Sequence, residues 1–381
     1  MSVALILMLS VAAFILSVLL TGAVRRYAIS RDLLDQPGPR GAHDDAVPRG
    51  GGLAIVLTTL TVGAVAFASL PDADWRYFWT LLGGGLAVAA IGFADDHGHV
   101  RPHWRLLVHV AAAGWALAWM THLPNPSRYL GLPIAELTLG AALFLIVWMI
   151  NLYNFMDGID GLAAVETLFL CAVGGLLLYL GGATALACLS WTLAAAAAGF
   201  LVWNRPPAKI FMGDVGSGFL GYAVAVLMFA SHGRGLLQWE AHPVQEAQRA
   251  PHIWPWLILV AILIVDASVT LVRRILRREA FWRPHSMHAY QHAARRWGHA
   301  KVVFGVLLIN VVLVLPAALV AWRNIDLRIW LTGGTFAVLA VVVLAFGAGR
   351  PQPPKPQAPA GERTDADAPV DASDPARGQE C

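Results

Sequence analysis

The stretch AELTLGAALFLIVWMINLYNFMDGIDGLAAVETLFLCAVGGLLLYLGGATALACLSWTLAAAAAGFLVWN, residues 135–204, decides the fold. It holds three apolar runs of roughly 20 residues, each long enough to carry a helix through a hydrocarbon core about 30 Å thick. A backbone in lipid must satisfy its own N–H and C=O groups, so such runs form helices. Only the turn at Gly181 and Gly182 parts the second run from the third. Between the first and second stand Asn151, Asn154, Asp157 and Asp160, at intervals of three and without a basic neighbour.

The same reading extends outward. Hydrophobic residues make up 57% of the chain and charged residues 13%, well off the balance of a soluble domain. Apolar runs at 3–24, 51–70, 77–94, 106–121, 135–153, 162–181, 184–203, 217–231, 253–272, 302–322 and 329–348 predict an all-α polytopic transmembrane bundle of about eleven spans over residues 1–348. The first run has no basic residue before it and Arg25 and Arg26 after it, which fits a retained helix with an outer N-terminus. Residues 349–381 are rich in Pro, Ala, Asp and Gln, so a disordered tail is expected there. A net charge of +3 with dispersed arginines does not suggest nucleic-acid binding. Three cysteines, two of them inside apolar runs, give no disulfide framework.

Lys and Arg favour cytoplasmic loops. The loops after odd-numbered spans and the tail hold 21 of the 27 basic residues, which places them in the cytoplasm of a multi-pass plasma-membrane protein. Each odd loop also carries a dense polar motif, so five motifs share one face.

The first motif, DQPGPRGAHDDAVPRGGGLAI, offers Arg40, His43 and Arg49 to an anion, and its three glycines either cradle phosphate or pack helices closely. The second, GFADDHGHVRPHWRLL, sets Asp95 and Asp96 at the end of a span with Arg105 following; acids at such a boundary are costly unless they meet water or a cation. In the third, NLYNFMDGIDGLA, the spacing predicts one helical face bearing Asn154, Asp157 and Asp160, suited to a hard cation or sugar hydroxyls. The fourth, WNRPPAKIFMGDVGSGFLGY, has Asn204, Lys209 and Phe211, a flat surface for a nucleobase, and Asp214 in a Gly-bounded turn as a metal ligand. The fifth and most basic loop spaces His288, His292 and Arg295 for one face of a helix that grips phosphate or sugar.

In series, DD, NxxNxxDGxDGLA and NxPPAKxFMGDxGS resemble the polyprenyl-phosphate N-acetylhexosamine-1-phosphate transferases, glycosyltransferase family 4, over roughly residues 35–300. The resemblance implies a UDP-N-acetylhexosamine donor, a membrane-embedded undecaprenyl phosphate acceptor, Mg²⁺ (with Mn²⁺ as an alternative) and release of UMP. It implies Asp214 as metal ligand, Phe211 as the uracil-stacking ring and Asp95 as the acid preparing the lipid phosphate. Asn154, Asp157, Asp160 and Asn204 match positions lining the nucleotide-sugar cleft, and His288 matches the start of the His-rich loop. Asp95 or Asp96 as a nucleophile forming an aspartyl phosphate stays open. The chain reads PRGGGL and His288-Ala289-Tyr290-Gln291-His292 where the peptidoglycan branch has TPTMGG and consecutive histidines. It is therefore more similar to initiators of O-antigen and other surface glycans. A homodimer is compatible with all of this. The rival reading is a transporter, for which Asp266 inside the ninth run is the relevant acid; pairing with the nearby Arg273 and Arg274 is its alternative explanation.

Overall fold

A computed structural model describes residues 3–35, 46–70, 73–120, 135–239, 253–279 and 286–351. Arg40, His43 and nearly all of the expected tail lie outside these residues.

Every predicted span falls on a helix: α1 (Val3–Ser30), α2 (Leu53–Ala68), α3 (Trp75–His97), α4 (Pro102–Trp119), α5 (Ala135–Met156), α6 (Leu162–Leu180), α7 (Thr184–Asn204), α8 (Asp214–Trp239), the pair α9 (Ile253–Leu259) and α10 (Ala261–Leu276), then α12 (His299–Arg323) and α13 (Arg328–Ala345). A short helix α11 (Ala289–Trp297) precedes α12. Among the described residues, eight helices are long and apolar enough to cross a membrane, or nine counting α9 and α10 as one span bent by 65°. α2 has only 16 residues. α4 carries His103, Arg105 and His109, which lower its apolarity.

Burial sorts the helices into core and lipid-facing layers. In α8, 94% of the residues Asp214–Ser231 are buried, whereas the most apolar windows of α1 and α13 are 17% buried. α8 is therefore the axis of the bundle, packed on α3 and α5, while α1 rests on α7 with its outer face left to lipid. α12 contains a π-helical turn, Asn310–Val314, just before Pro316, whose missing N–H breaks the regular ladder. Asn310 Nδ2 donates to the buried Glu166 Oε1 at 2.6 Å, giving an acid inside the bundle a partner.

The polar loops are laced together at one end. A short antiparallel ladder pairs β1 (Leu34–Asp35) with β2 (Val47–Pro48), and Phe211 N donates to Pro48 O at 2.8 Å. Gly51 N and Gly52 N donate back to the carbonyls of Phe211 and Met212 at 2.9 and 2.8 Å. Two N–H groups of the triple glycine are thus spent on the 211–212 backbone, and a Cβ on Gly52 would overlap Gly216. Those two glycines pack α2 closely on α8. The expected helical face of the third motif also differs, because α5 ends at Met156; Asp157 and Asp160 stand in the turn that follows. Asn151 faces its own helix, donating to Val147 O at 2.7 Å.

Candidate active site

The first N–H groups of a helix have no partner within it. For α8 that partner is Asp96 on α3, which is 4% exposed and accepts from Asp214 N at 3.0 Å and Val215 N at 3.2 Å. A carboxylate at this end also complements the helix dipole. Gly213, at φ +75°, lies directly against that carboxylate, and a Cβ would collide with it. Asp96 thereby fixes where α8 begins.

Adjacent helical residues point about 100° apart, and Asp95 accordingly faces elsewhere. Its Oδ1 accepts from Val100 N at 2.8 Å and its Oδ2 pairs with Arg105 Nη1 at 2.8 Å. The other arm of the same guanidinium, Nη2, meets Asp214 Oδ2 at 2.7 Å. Asn154, with its amide nitrogen turned toward the acid, donates to Asp214 Oδ1 at 3.1 Å and accepts from Arg105 at 2.5 Å.

Asp214 and Asn154, with Arg105 and Asp95 behind them, give onto a cavity of about 370 Å³ lined by Asp35, Arg49, Asp96, Asn154, Asp157, Asp160, Asn204, Phe211, Asp214, Gln291 and His299, among others. Asp157 makes no side-chain hydrogen bond among the described residues. Burial, reinforced by the charges of Asp214, Asp96 and Asp160, holds its carboxyl well above the usual carboxylate range. Asp160 Oδ2 accepts from Ala208 N at 3.1 Å and lies 3.2 Å from His299 Nδ1. Asn204 ties two loops together, accepting from Gly161 N and donating to Ile210 O, both at 2.9 Å. Arg49 has a buried Nε with no hydrogen-bond partner among the described residues.

Other expected contributors stand apart from the cavity lining. Lys209 is exposed, with its ammonium 6.0 Å from the Trp203 ring. His288 is buried between Phe155 and Tyr290, its Nδ1 3.6 Å from Asp266 Oδ1. His292 contacts Arg350 O at 3.2 Å, and burial lowers its pKa. Arg295 is exposed, with Ser286 Oγ at 3.5 Å. The helix expected to align these three does form, but it turns them toward the bundle, α13 and solvent. In their place Gln291 and His299, together with Asp35, reach the cavity. The sequence signal for His299 was its position just after Gly298 at the start of an apolar run, a place that reads as a helix entry.

The donor set suits a hard divalent cation. It is all oxygen, and Asp157 is a carboxylate short of partners. No three His, Cys, Asp or Glu side chains among the described residues form a ready-made metal cage. Mg²⁺ is ordinarily held by one or two carboxylates with substrate phosphates and water completing its shell. Asp157 and Asp214 match that pattern.

Comparison with known proteins agrees with this geometry. The family model described as glycosyl transferase family 4 matches residues 78–232, which include Asp95, Asp157 and Asp214. A probable undecaprenyl-phosphate N-acetylglucosaminyl 1-phosphate transferase of Bacillus subtilis is 27% identical over 87% of this chain and 84% of its own length. A decaprenyl-phosphate N-acetylglucosaminephosphotransferase of Mycobacterium tuberculosis is 31% identical over 76% of this chain and 75% of its own. A phospho-N-acetylmuramoyl-pentapeptide-transferase of Streptococcus thermophilus is 29% identical over a shorter share, 59% of this chain. The chain belongs to glycosyl transferase family 4, the polyprenyl-phosphate N-acetylhexosamine-1-phosphate transferases.

Proposed function

We propose that this protein transfers an N-acetylhexosamine-1-phosphate from a UDP-sugar to undecaprenyl phosphate, releasing UMP, at the cytoplasmic face of a bacterial inner membrane. The product would start a surface glycan such as O-antigen. The observation that carries the reading is the pair Asp157 and Asp214 facing one polar cavity, with Arg105 held beside them by Asp95. The names of the relatives, which specify polyprenyl phosphates and N-acetylglucosamine phosphate, support the substrate classes.

Both reactants are anionic, so their approach requires positive charge fixed in advance. Asp157 and Asp214 would hold Mg²⁺ or Mn²⁺, which when bound neutralises the donor diphosphate. Arg105 and Arg49 add positive charge around the same cavity, and Phe211 offers the uracil a face. An oxygen of the lipid phosphate bonds to the sugar-bearing phosphorus, and the bond to UMP breaks with its electron pair leaving on UMP. No net proton transfer is needed from an acceptor already dianionic, as a phosphate with its second pKa near ~6 mostly is at neutral pH. Asp95, with one oxygen on Val100 N and the other on Arg105, serves better as the holder of Arg105 than as a base. For the prenyl chain, an apolar cavity of about 130 Å³ opens between α10, α11, α12 and α13, beside Met156 and Leu162 at the edges of the Asp157 turn.

The test is incubation of purified protein with undecaprenyl phosphate and a panel of labelled UDP-N-acetylhexosamines. Lipid-linked product and UMP should appear together and vanish with EDTA, and the panel identifies the sugar. Product forming at full rate in EDTA would remove the metal from the mechanism, and no product with any sugar would remove the reaction.

A further inference from the structure

Resting on the transferase reading above, we propose that His299 contacts the donor substrate directly, presenting its Nε2–H to a phosphoryl oxygen of the nucleotide diphosphate, with Asp160 as its positioning residue. His299 is the first residue of α12, and its side chain is 16% exposed on the cavity wall. The ring is held through one nitrogen only. Nδ1 lies 3.2 Å from Asp160 Oδ2 and accepts from Asp160 N at 3.3 Å. Asp160 is itself anchored by Ala208 N at 3.1 Å, so the ring is fixed against two loops at once. Nε2 makes no hydrogen bond among the described residues.

When Nδ1 accepts from the Asp160 N–H, the ring proton of the neutral form sits on Nε2; in the imidazolium both nitrogens carry one, and Nδ1–H turns to Asp160 Oδ2. In each of these two states an arriving anion meets a donor at Nε2. Among the described residues that line this cavity, His299 and Arg49 are the two side chains able to carry positive charge. A diphosphate entering among so many acids has few other donors to meet. Among the described residues, the other histidines of the same segment are committed elsewhere: His288 to Asp266 and His292 to Arg350 O.

The experiment compares full-length wild type with His299→Ala, His299→Gln and Asp160→Asn in Mg²⁺, reading the binding of UDP and of uridine by competition against a labelled UDP-sugar, together with steady-state transfer. Loss of one hydrogen bond to a charged group predicts UDP binding weaker by about ten- to a hundredfold in His299→Ala. Uridine binding and the KM for lipid should stay unchanged. His299→Gln, whose amide N–H approximates the Nε2 donor, should recover part of the loss, and Asp160→Asn should give a smaller loss of the same kind. UDP binding unchanged in His299→Ala overturns the inference, as does a parallel loss of UDP and uridine binding that His299→Gln fails to relieve. A loss confined to the complete UDP-sugar would move the contact to the sugar and likewise overturn the phosphate assignment. Failure of the wild type itself to bind UDP would instead overturn the transferase reading.

Discussion

Asp96 and Asp266 hold helix N-termini in the same way. Asp96 on α3 takes the N–H groups of Asp214 and Val215 at 3.0 and 3.2 Å; Asp266 on α10 takes those of Ala289 and Tyr290 at 2.9 and 3.2 Å. Both carboxylates are nearly sealed from solvent, at 4% and 2% exposed. Their surroundings differ. The helix that Asp96 caps begins with another acid, Asp214, on a polar cavity that Asp157 also lines. The helix that Asp266 caps begins with Ala289 and Tyr290, and the cavity beside it is apolar. An acid within an apolar helix thus marks no ion pathway by itself; its meaning depends on what the helix it anchors presents. Asp266 has a structural partner set, which removes the motive for the transporter reading. That set is His288, the Thr270 hydroxyl and backbone amides, not the Arg pair considered from sequence.

The largest effect should come from the presented acid. Asp214→Ala leaves Asp96 its amide partners, so the fold should persist while transfer falls at least about a hundredfold, because one cation-facing charge is gone where charge must be neutralised. Transfer rates at saturating Mg²⁺ check this, and near-normal turnover would break the distinction between presented and capping acids. Next come the caps. Asp96→Ala and Asp266→Ala each strand two N–H groups and should cost about 2 kcal/mol of stability, read as a lowered melting temperature in detergent. The Mg²⁺ dependence of transfer should separate them. Asp96→Ala should raise the Mg²⁺ concentration needed, since α8 no longer starts at a fixed place, whereas Asp266→Ala should leave that concentration unchanged. Equal Mg²⁺ responses would show that the two stations are not different in kind.

Much of this arrangement was legible in the sequence because lipid imposes a simple rule. A run of about 20 apolar residues can do little but form a helix, and polar motifs on alternate loops must share a face. Asp95, Asp157, Asp160 and Asp214 were placed together on that ground, and their loops do converge. Side-chain direction was less legible. Whether His288 or His299 meets the cavity depends on where α11 begins and how Gly298 turns the chain, which periodicity does not encode. The glycine triplet likewise suited two roles, and only the structure locates two of its N–H groups on the 211–212 backbone. Asp96 and Asp266 show the same gap, since a cap supplied by a residue far away in sequence leaves no local spacing to read.

Gly213 offers the smallest and most specific test of the Asp96 station. Its φ of +75° is a left-handed conformation that costs a residue bearing Cβ about 1 kcal/mol, and the added carbon would meet the Asp96 carboxylate. Gly213→Ala should therefore destabilise by about 1–2 kcal/mol, somewhat less than loss of the cap, because the carboxylate can shift and keep one of its two amides. If the clash is relieved at Asp96, combining Gly213→Ala with Asp96→Ala should cost less than the two changes summed, since the collision partner is gone. Strict additivity in melting measurements on the four proteins of this cycle would show that the glycine answers only to its backbone angle, and that the carboxylate and the turn before α8 are independent features.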